Sequence, residues 1–169
     1  EFRRVLFRSG DAGIEIDEPV RDALFLNLLS EDNLPYYFRD IDRLFGSDSA
    51  YGEWARNWTA EEGRHSIVMR DYMTVSRAVD PVALERARMI QVRGGQVPDP
   101  GDAIEALAYV SMQELATRIS HRNTGKLMKD EIGTAIMSRV GNDENLHYLF
   151  YRDLTTAAIE VDQIGRAHV

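Results

Sequence analysis

Two pairs of residues place a glutamate three positions before a histidine: Glu62 with His65, and Glu144 with His147. Positions i and i+3 of an α-helix lie on one face, so each pair can present an oxygen ligand and a nitrogen ligand to the same point. Both pairs continue stripes of apolar residues at helical spacing, which indicates that they face the interior. A chain that buries both pairs has to build helices around a polar centre.

Apolar periodicity predicts four long helices, at about residues 17–44, 49–79, 102–121 and 130–161. Pro35 lies inside the first of them and is expected to kink or loosen it. Asp80 and Pro81 open a short extra helix that reaches about residue 92, and a loop follows at residues 93–101. The segment RNTGK at residues 122–126 is expected to interrupt the helical pattern. No segment alternates with a period of two, so we predict an all-α fold.

The other two long helices each carry one glutamate in the apolar stripe, Glu31 in the first and Glu114 in the third. The interval from Glu31 to Glu62 nearly equals that from Glu114 to Glu144, and a longer interval separates the two halves. Two similar helical hairpins joined by a long crossover give this pattern, which is that of ferritin-like bundles with two iron or manganese ions. Buried together without a cation, these carboxylates and imidazoles would be very costly. We therefore predict a ferritin-like four-helix bundle core, with a short extra helix in the long crossover.

The composition of the chain limits its possible metal ligands, binding partners and location. The chain has no cysteine, which excludes disulfides and leaves oxygen and nitrogen donors for any metal. Its formal net charge of -8 disfavours nucleic-acid binding. It has no apolar run of about eighteen residues, so no membrane span is expected. Together with the lack of a signal peptide, the absence of cysteine predicts a cytoplasmic protein.

Both ends of the chain read like translated sequencing adapter: EFRRVLFRS at residues 1–9 and IGRAHV at residues 164–169. One common adapter oligonucleotide explains both, because IGRAHV is its forward translation and EFRRVLFRS is the translation of its extended reverse complement. We therefore expect a single two-iron helical-bundle domain at residues 10–163, cut at both ends.

Four segments closely resemble soluble acyl-[acyl-carrier-protein] desaturases of the actinobacterial branch. They are SEDNLP (30–35), WTAEEGRHS (58–66), QELATRISHRNTGK (113–126) and NDENLHYLFYRD (142–153). The resemblance implies an enzyme of fatty acid biosynthesis that forms a cis double bond in an acyl chain carried on acyl carrier protein. It would use O2, electrons from a ferredoxin-type donor and two iron ions, Fe²⁺ in the reduced form. The resemblance also implies a homodimer when full length, and family members continue beyond both ends of this segment. The ligands carried over by motif are Glu31, Glu62, His65, Glu114, Glu144 and His147.

Further residues near the expected site have two possible roles each. Thr117 matches a family threonine beside the O2 site, where its hydroxyl could help to deliver protons; alternatively it bonds to its own helix backbone. Asp143 could orient His65 through the outer ring nitrogen, or be a plain surface aspartate. We expect His121 to be a hydrogen-bonded structural residue rather than a ligand.

Two other functions remain open. One is a ferroxidase or another two-iron oxidase on the same bundle, which would not depend on an acyl carrier. The other is an inactive carrier-binding bundle, which replacement of a ligand would favour; all six ligand positions keep ligating residue types. Trp54 and Trp58 are expected to be core packing. Four arginines could face an acidic carrier protein or be simply solvated: Arg70, Arg77, Arg86 and Arg88.

Overall fold

The computed structural model describes residues 14–167, with side chains through residue 163, and all regular structure in that part of the chain is helical. Six helices follow one another: α1 (Glu18–Glu31), α2 (Leu34–Phe45), α3 (Ala50–Val75), α4 (Pro81–Gly94), α5 (Ala103–Leu127) and α6 (Glu131–Ala167). The predicted all-α fold is confirmed, with α4 as the short extra helix in the crossover. The predicted adapter segment at residues 1–9 lies outside the described residues, as do residues 168–169.

Three helices begin where the sequence predicted, because a polar side chain caps each of them. Ser49, Asp80 and Asp102 precede α3, α4 and α5, and each accepts a hydrogen bond from the backbone N–H of a residue two or three positions later. These bonds satisfy N–H groups that have no partner inside the helix.

The first predicted helix is interrupted near Pro35, as expected, but the interruption is a full break that divides it into two helices. Helix α1 ends at Glu31 and α2 begins at Leu34. Pro35 has no N–H to donate to the carbonyl of Glu31, and the N–H of Asn33 turns back to the carbonyl of Ser30 at 3.1 Å. A helix break therefore lies directly after a predicted metal ligand.

Helix α5 continues through the RNTGK segment to Leu127, so the predicted interruption after His121 is wrong. Thr124 and Gly125 are buried, and a Cβ atom added at Gly125 would lie 2.9 Å from the Cβ of Met137 in α6. The two helices can approach this closely because position 125 has no side chain. Burial here outweighs the low helix propensity of the segment.

The helices pack as the predicted bundle. Helices α5 and α6, joined by three residues, pack along their lengths, while α3 lies against α1, α2 and α6. Two apolar clusters form the core. The first includes Leu24, Leu28, Met69, Met73 and Met137, and the second includes Ile41, Trp58, Leu107, Val110 and Tyr151.

The two Glu-x-x-His pairs lie between these clusters. In α3, Glu62 and His65 stand between Trp58 of one cluster and Met69 of the other. In α6, the second pair stands in the same way between Met137 and Tyr151. The bundle therefore encloses a polar layer with apolar packing on both sides.

None of the helices within residues 14–167 combines the length and apolar character that crossing a membrane requires.

Candidate metal centre

The six predicted ligands converge in the polar layer. Helix α1 contributes one of them, α3 two, α5 one and α6 two. Each side chain points inward because it occupies the apolar stripe of its helix, and none of the six residues is more than 7% exposed. The six are Glu31, Glu62, His65, Glu114, Glu144 and His147.

Their donor atoms form two overlapping groups. Glu31 and His65 belong to the first group and Glu114 and His147 to the second, while Glu62 and Glu144 belong to both. Within each group the ligand atoms lie within 4.8 Å of one another. Two cations side by side, with two carboxylates shared between them, fit this arrangement.

Each histidine directs Nδ1 into the centre. His65 Nδ1 lies 3.1 Å from Glu144 Oε1 and 3.5 Å from Glu62 Oε2. His147 Nδ1 lies 2.8 Å from Glu62 Oε1 and 3.6 Å from Glu114 Oε2. The ring centroids of the two histidines are 6.2 Å apart. The two imidazoles thus face separate halves of the shared carboxylate layer.

The outer nitrogen of each histidine faces a carboxylate from the opposite hairpin. His65 Nε2 lies 3.5 Å from Asp143 Oδ2, the residue proposed from the sequence to orient it. His147 Nε2 lies 3.2 Å from Glu61 Oε2. Sequence reasoning missed Glu61, although an acidic residue precedes the glutamate of both Glu-x-x-His pairs. Such partners fix the tautomer and orientation of a ligating imidazole.

Thr117 contacts both its own helix backbone and the candidate centre. Its Oγ1 lies 3.2 Å from the carbonyl oxygen of Gln113 and 3.1 Å from that of Glu114, one turn earlier in α5. The same hydroxyl lies 2.8 Å from Glu144 Oε2, to which it donates. A single hydroxyl proton can therefore point to the helix backbone or to a shared carboxylate of the centre.

Two further side chains hydrogen-bond to the predicted ligands. His121 is fully buried, and its Nε2 lies 3.0 Å from Glu31 Oε1, so it has the hydrogen-bonded position expected for a structural histidine. Trp58 packs in the core as expected, but its Nε1–H also donates to Glu114 Oε1 at 3.3 Å. Both contacts hold a carboxylate in place from outside the centre.

The residues fit two divalent cations. Several buried atoms of the centre have no hydrogen-bond partner: Glu62 Oε1, His65 Nδ1, Glu144 Oε1 and His147 Nδ1. Unpartnered buried polar atoms are costly, and two bound cations, one in each ligand group, would satisfy all four. Four carboxylates also supply the negative charge that two divalent ions balance. Carboxylate and imidazole donors suit iron, among other first-row metals.

Without cations, the centre holds protons instead. Burial disfavours the charged form of His147, but the neighbouring carboxylates of Glu114 and Glu62 outweigh this effect and raise its pKa to about 11. Burial raises the pKa of Glu114 well above its ordinary value, although the bond to His147 opposes the shift. Metal binding must therefore displace protons from these ligands.

A small cavity reaches the centre from the side away from the histidines. Neither His65 nor His147 lines it. Its lining includes Thr117, Glu144, Leu34, Tyr37 and Gln113. A small molecule entering here would meet the metal positions and the Thr117 hydroxyl together.

A second, apolar cavity lies beside the first and shares Tyr37 with it. Helix α2 provides one wall through Ile41 and Leu44, and α5 provides another through Ala106 and Val110. The loop between α4 and α5 completes it. The lining of this small cavity is mostly apolar.

Comparison with protein families shows to which family the chain belongs. The fatty acid desaturase family matches residues 9–167, which include all six predicted ligands. The chain belongs to this family. This match, together with the named relatives below, confirms the predicted resemblance to acyl-carrier desaturases, and the candidate centre described above lies within the matched residues.

Named relatives are similar along most of the chain. A putative acyl-[acyl-carrier-protein] desaturase DesA1 of Mycobacterium tuberculosis is 44% identical over 155 residues, covering 87% of this chain and 46% of the relative. DesA2 of the same organism, also named a putative acyl-[acyl-carrier-protein] desaturase, is 31% identical, covering 83% of this chain and 51% of the relative. The chloroplastic stearoyl-[acyl-carrier-protein] 9-desaturase 6 of Arabidopsis thaliana is 35% identical, covering 82% and 38%. The chain spans about half or less of the length of these relatives.

Proposed function

We propose that the whole protein containing this chain forms a cis double bond in an acyl chain carried on acyl carrier protein. The reaction uses O2, two iron ions and electrons from a ferredoxin-type donor. The observation that carries the proposal is the pair of ligand groups sharing Glu62 and Glu144, in a chain of the fatty acid desaturase family. The names of DesA1 and the plant stearoyl relative support the carrier-bound substrate.

The proposed reaction balances when two protons from the solvent accompany the two electrons from the donor. Two C–H bonds of neighbouring methylenes break, and two electrons from the donor join the two taken from the substrate. Together they reduce O2 to two molecules of water. When bound, the iron ions supply the oxidising chemistry that an unactivated methylene requires, and the protein supplies binding, orientation and exclusion of water.

Other side chains orient the histidines, transfer protons and bind the acyl chain. Glu61 and Asp143 hold the two histidines so that each Nδ1 faces a metal position. Thr117 donates to Glu144 on the cavity side of the centre, where it can pass a proton to a reacting oxygen. The apolar cavity next to Tyr37 binds part of the acyl chain and sets how far it extends past the iron ions.

We also propose that the whole protein is a homodimer. Several large apolar side chains on the outer faces of the bundle are more than half exposed, among them Leu26, Met112, Ile119 and Leu146. A second copy or further segments of the whole protein would cover such surface.

A turnover assay tests the proposed function. Whole protein loaded with iron is incubated with acyl-[acyl carrier protein], O2 and a ferredoxin with its reductase, and the acyl products are analysed by mass. We expect loss of two hydrogens per acyl chain, dependent on every component. O2 consumption and iron oxidation without any unsaturated product would instead identify a ferroxidase, and no reaction at all would favour an inactive carrier-binding bundle.

A further inference from the structure

The helix break after Glu31 carries a buried carboxylate that belongs to no ligand group. Asp32 is 6% exposed. Arg88 of α4 approaches it with two parallel hydrogen bonds, from Nε to Oδ2 at 2.8 Å and from Nη2 to Oδ1 at 3.0 Å. A paired guanidinium and carboxylate in this geometry fix orientation as well as distance. Helix α4 is therefore attached directly to the residue that follows Glu31.

Two more hydrogen bonds join α4 to the other side of the same break. Gln91 Nε2 donates to Asn33 Oδ1 at 2.7 Å. The hydroxyl of Tyr36, in the first turn of α2, donates to the backbone carbonyl of Val92. The final turns of α4 thus hold both the end of α1 and the start of α2.

The chain after α4 also lies at contact distance over the break. A Cβ atom added at Gly95 would lie 2.6 Å from Asn33 Oδ1 and 2.6 Å from a ring carbon of Tyr36. A Cβ atom added at Gly94 would meet nothing within 4 Å. Only the second of these adjacent glycines is required by close packing.

An ion-pair chain connects α4 to α3 as well. Arg88 Nη1 lies 3.4 Å from the carboxylate of Glu85, which accepts a hydrogen bond from Arg70 Nε at 2.7 Å. Arg88 is therefore engaged with the largely buried Asp32, whereas the pair of Arg70 and Glu85 lies at the surface. This chain links the break after Glu31 to the helix that carries Glu62 and His65.

We propose that α4 and the glycine after it act as a clamp that positions Glu31 for one of the two iron ions. Glu31 belongs to the ligand group of His65 and not to that of His147. Loosening the clamp should lower the affinity for the ion next to His65 and leave the affinity for the ion next to His147 nearly unchanged. The inference rests on the proposed function only in requiring that two iron ions bind.

The test is a titration of metal-free whole protein with Fe²⁺ under anaerobic conditions, with a competing chelator to resolve two affinities. Arg88→Ala and Gly95→Ala loosen the clamp in different ways, by removing an ion pair and by adding a methyl group. Arg86→Ala and Gly94→Ala are the matched controls, because Arg86 is exposed on α4 and Gly94 has space for a methyl group. Far-UV circular dichroism checks that each variant is folded.

In the unaltered protein and both controls we expect two tightly bound ions. In both clamp variants we expect one affinity to fall by at least about tenfold, as for other changes around metal ligands, while the second stays unchanged. Two unchanged affinities, or equal loss of both, would overturn the clamp. If Arg88→Ala does not fold, the same titration is made on Arg88→Lys, which keeps the charge but loses the paired geometry. The same result is expected, and the same results would contradict the proposal. Failure of the unaltered protein to bind two ions would instead reject the proposed function.

Discussion

His147 Nε2 lies 3.2 Å from Glu61 Oε2, so a candidate ligand of one hairpin is held by a carboxylate of the other. The reciprocal contact joins His65 Nε2 to Asp143 Oδ2 at 3.5 Å. In each hairpin the acidic residue directly precedes the glutamate ligand, so the two halves of the centre support each other by the same device. The bundle thereby couples the packing of α3 against α6 to the direction of both imidazoles.

Removing either supporting carboxylate should weaken metal binding. Glu61→Gln and Asp143→Asn keep the side-chain size but lose the charge that favours an Nε2–H tautomer. We expect iron affinity to fall by about 10–100-fold in each, measured by competition with a chelator. Asp153→Asn, an exposed carboxylate on α6, is the control and should bind iron normally. Unchanged affinity in both variants would show that these contacts do not orient the histidines.

The Thr117 hydroxyl should affect turnover without affecting metal content. Thr117→Val removes the donor to Glu144, whereas Thr117→Ser retains it. We expect desaturation by the valine variant to slow by up to about 100-fold, since positioned proton donors contribute on that scale, with most of the rate kept by the serine variant. Iron content, measured in parallel, should be equal in all three proteins. Equal rates for valine and serine would assign Thr117 to backbone bonding alone.

The metal-free protein should lose stability at alkaline pH. The pKa of His147 rises to about 11 in the folded state, because the neighbouring carboxylates of Glu114 and Glu62 outweigh the effect of burial. An unfolded histidine has a pKa of about 6.5, so protonation stabilises the fold fully below that pH, and this is lost as pH rises toward the folded pKa. Bound iron replaces these protons.

Thermal unfolding between about pH 7 and pH 9.5 checks this expectation, because that window lies between the unfolded and folded pKa values. The Tm should fall with rising pH in the presence of chelator and change much less with iron bound. Parallel pH curves for the two forms would contradict it.

The apolar cavity should set the preferred acyl length. Ala106 is buried in its wall, and Ala106→Leu would shorten it. Each methylene that no longer fits costs about 0.8 kcal/mol of burial, which is about fourfold in kcat/KM. Competition between two acyl carriers that differ in chain length should therefore shift toward the shorter chain. An unchanged ratio of products would place the end of the acyl chain elsewhere.

The six candidate ligands could be picked out from the sequence because each is a local feature: a glutamate or a Glu-x-x-His pair in an apolar helical stripe. The structure brings them together in two overlapping groups, and their binding of metal stays a prediction. The sequence did not predict that α1 would end at Glu31, since Pro35 alone does not distinguish a kink from a break. The predicted end of α5 was too early, because the burial of Gly125 depends on Met137, a residue of the next helix. The pairing of Asp32 with Arg88 was missed for the same reason, because contacts between distant segments leave no periodic signal.

The central claim is that Glu62 and Glu144 are shared between two iron ions. Mössbauer spectroscopy of whole protein loaded with ⁵⁷Fe, together with iron analysis per chain, tests this most directly. We expect two irons per chain that form a coupled pair after oxidation. Fewer than one iron per chain under reducing, iron-replete conditions, or only isolated single ions, would contradict it.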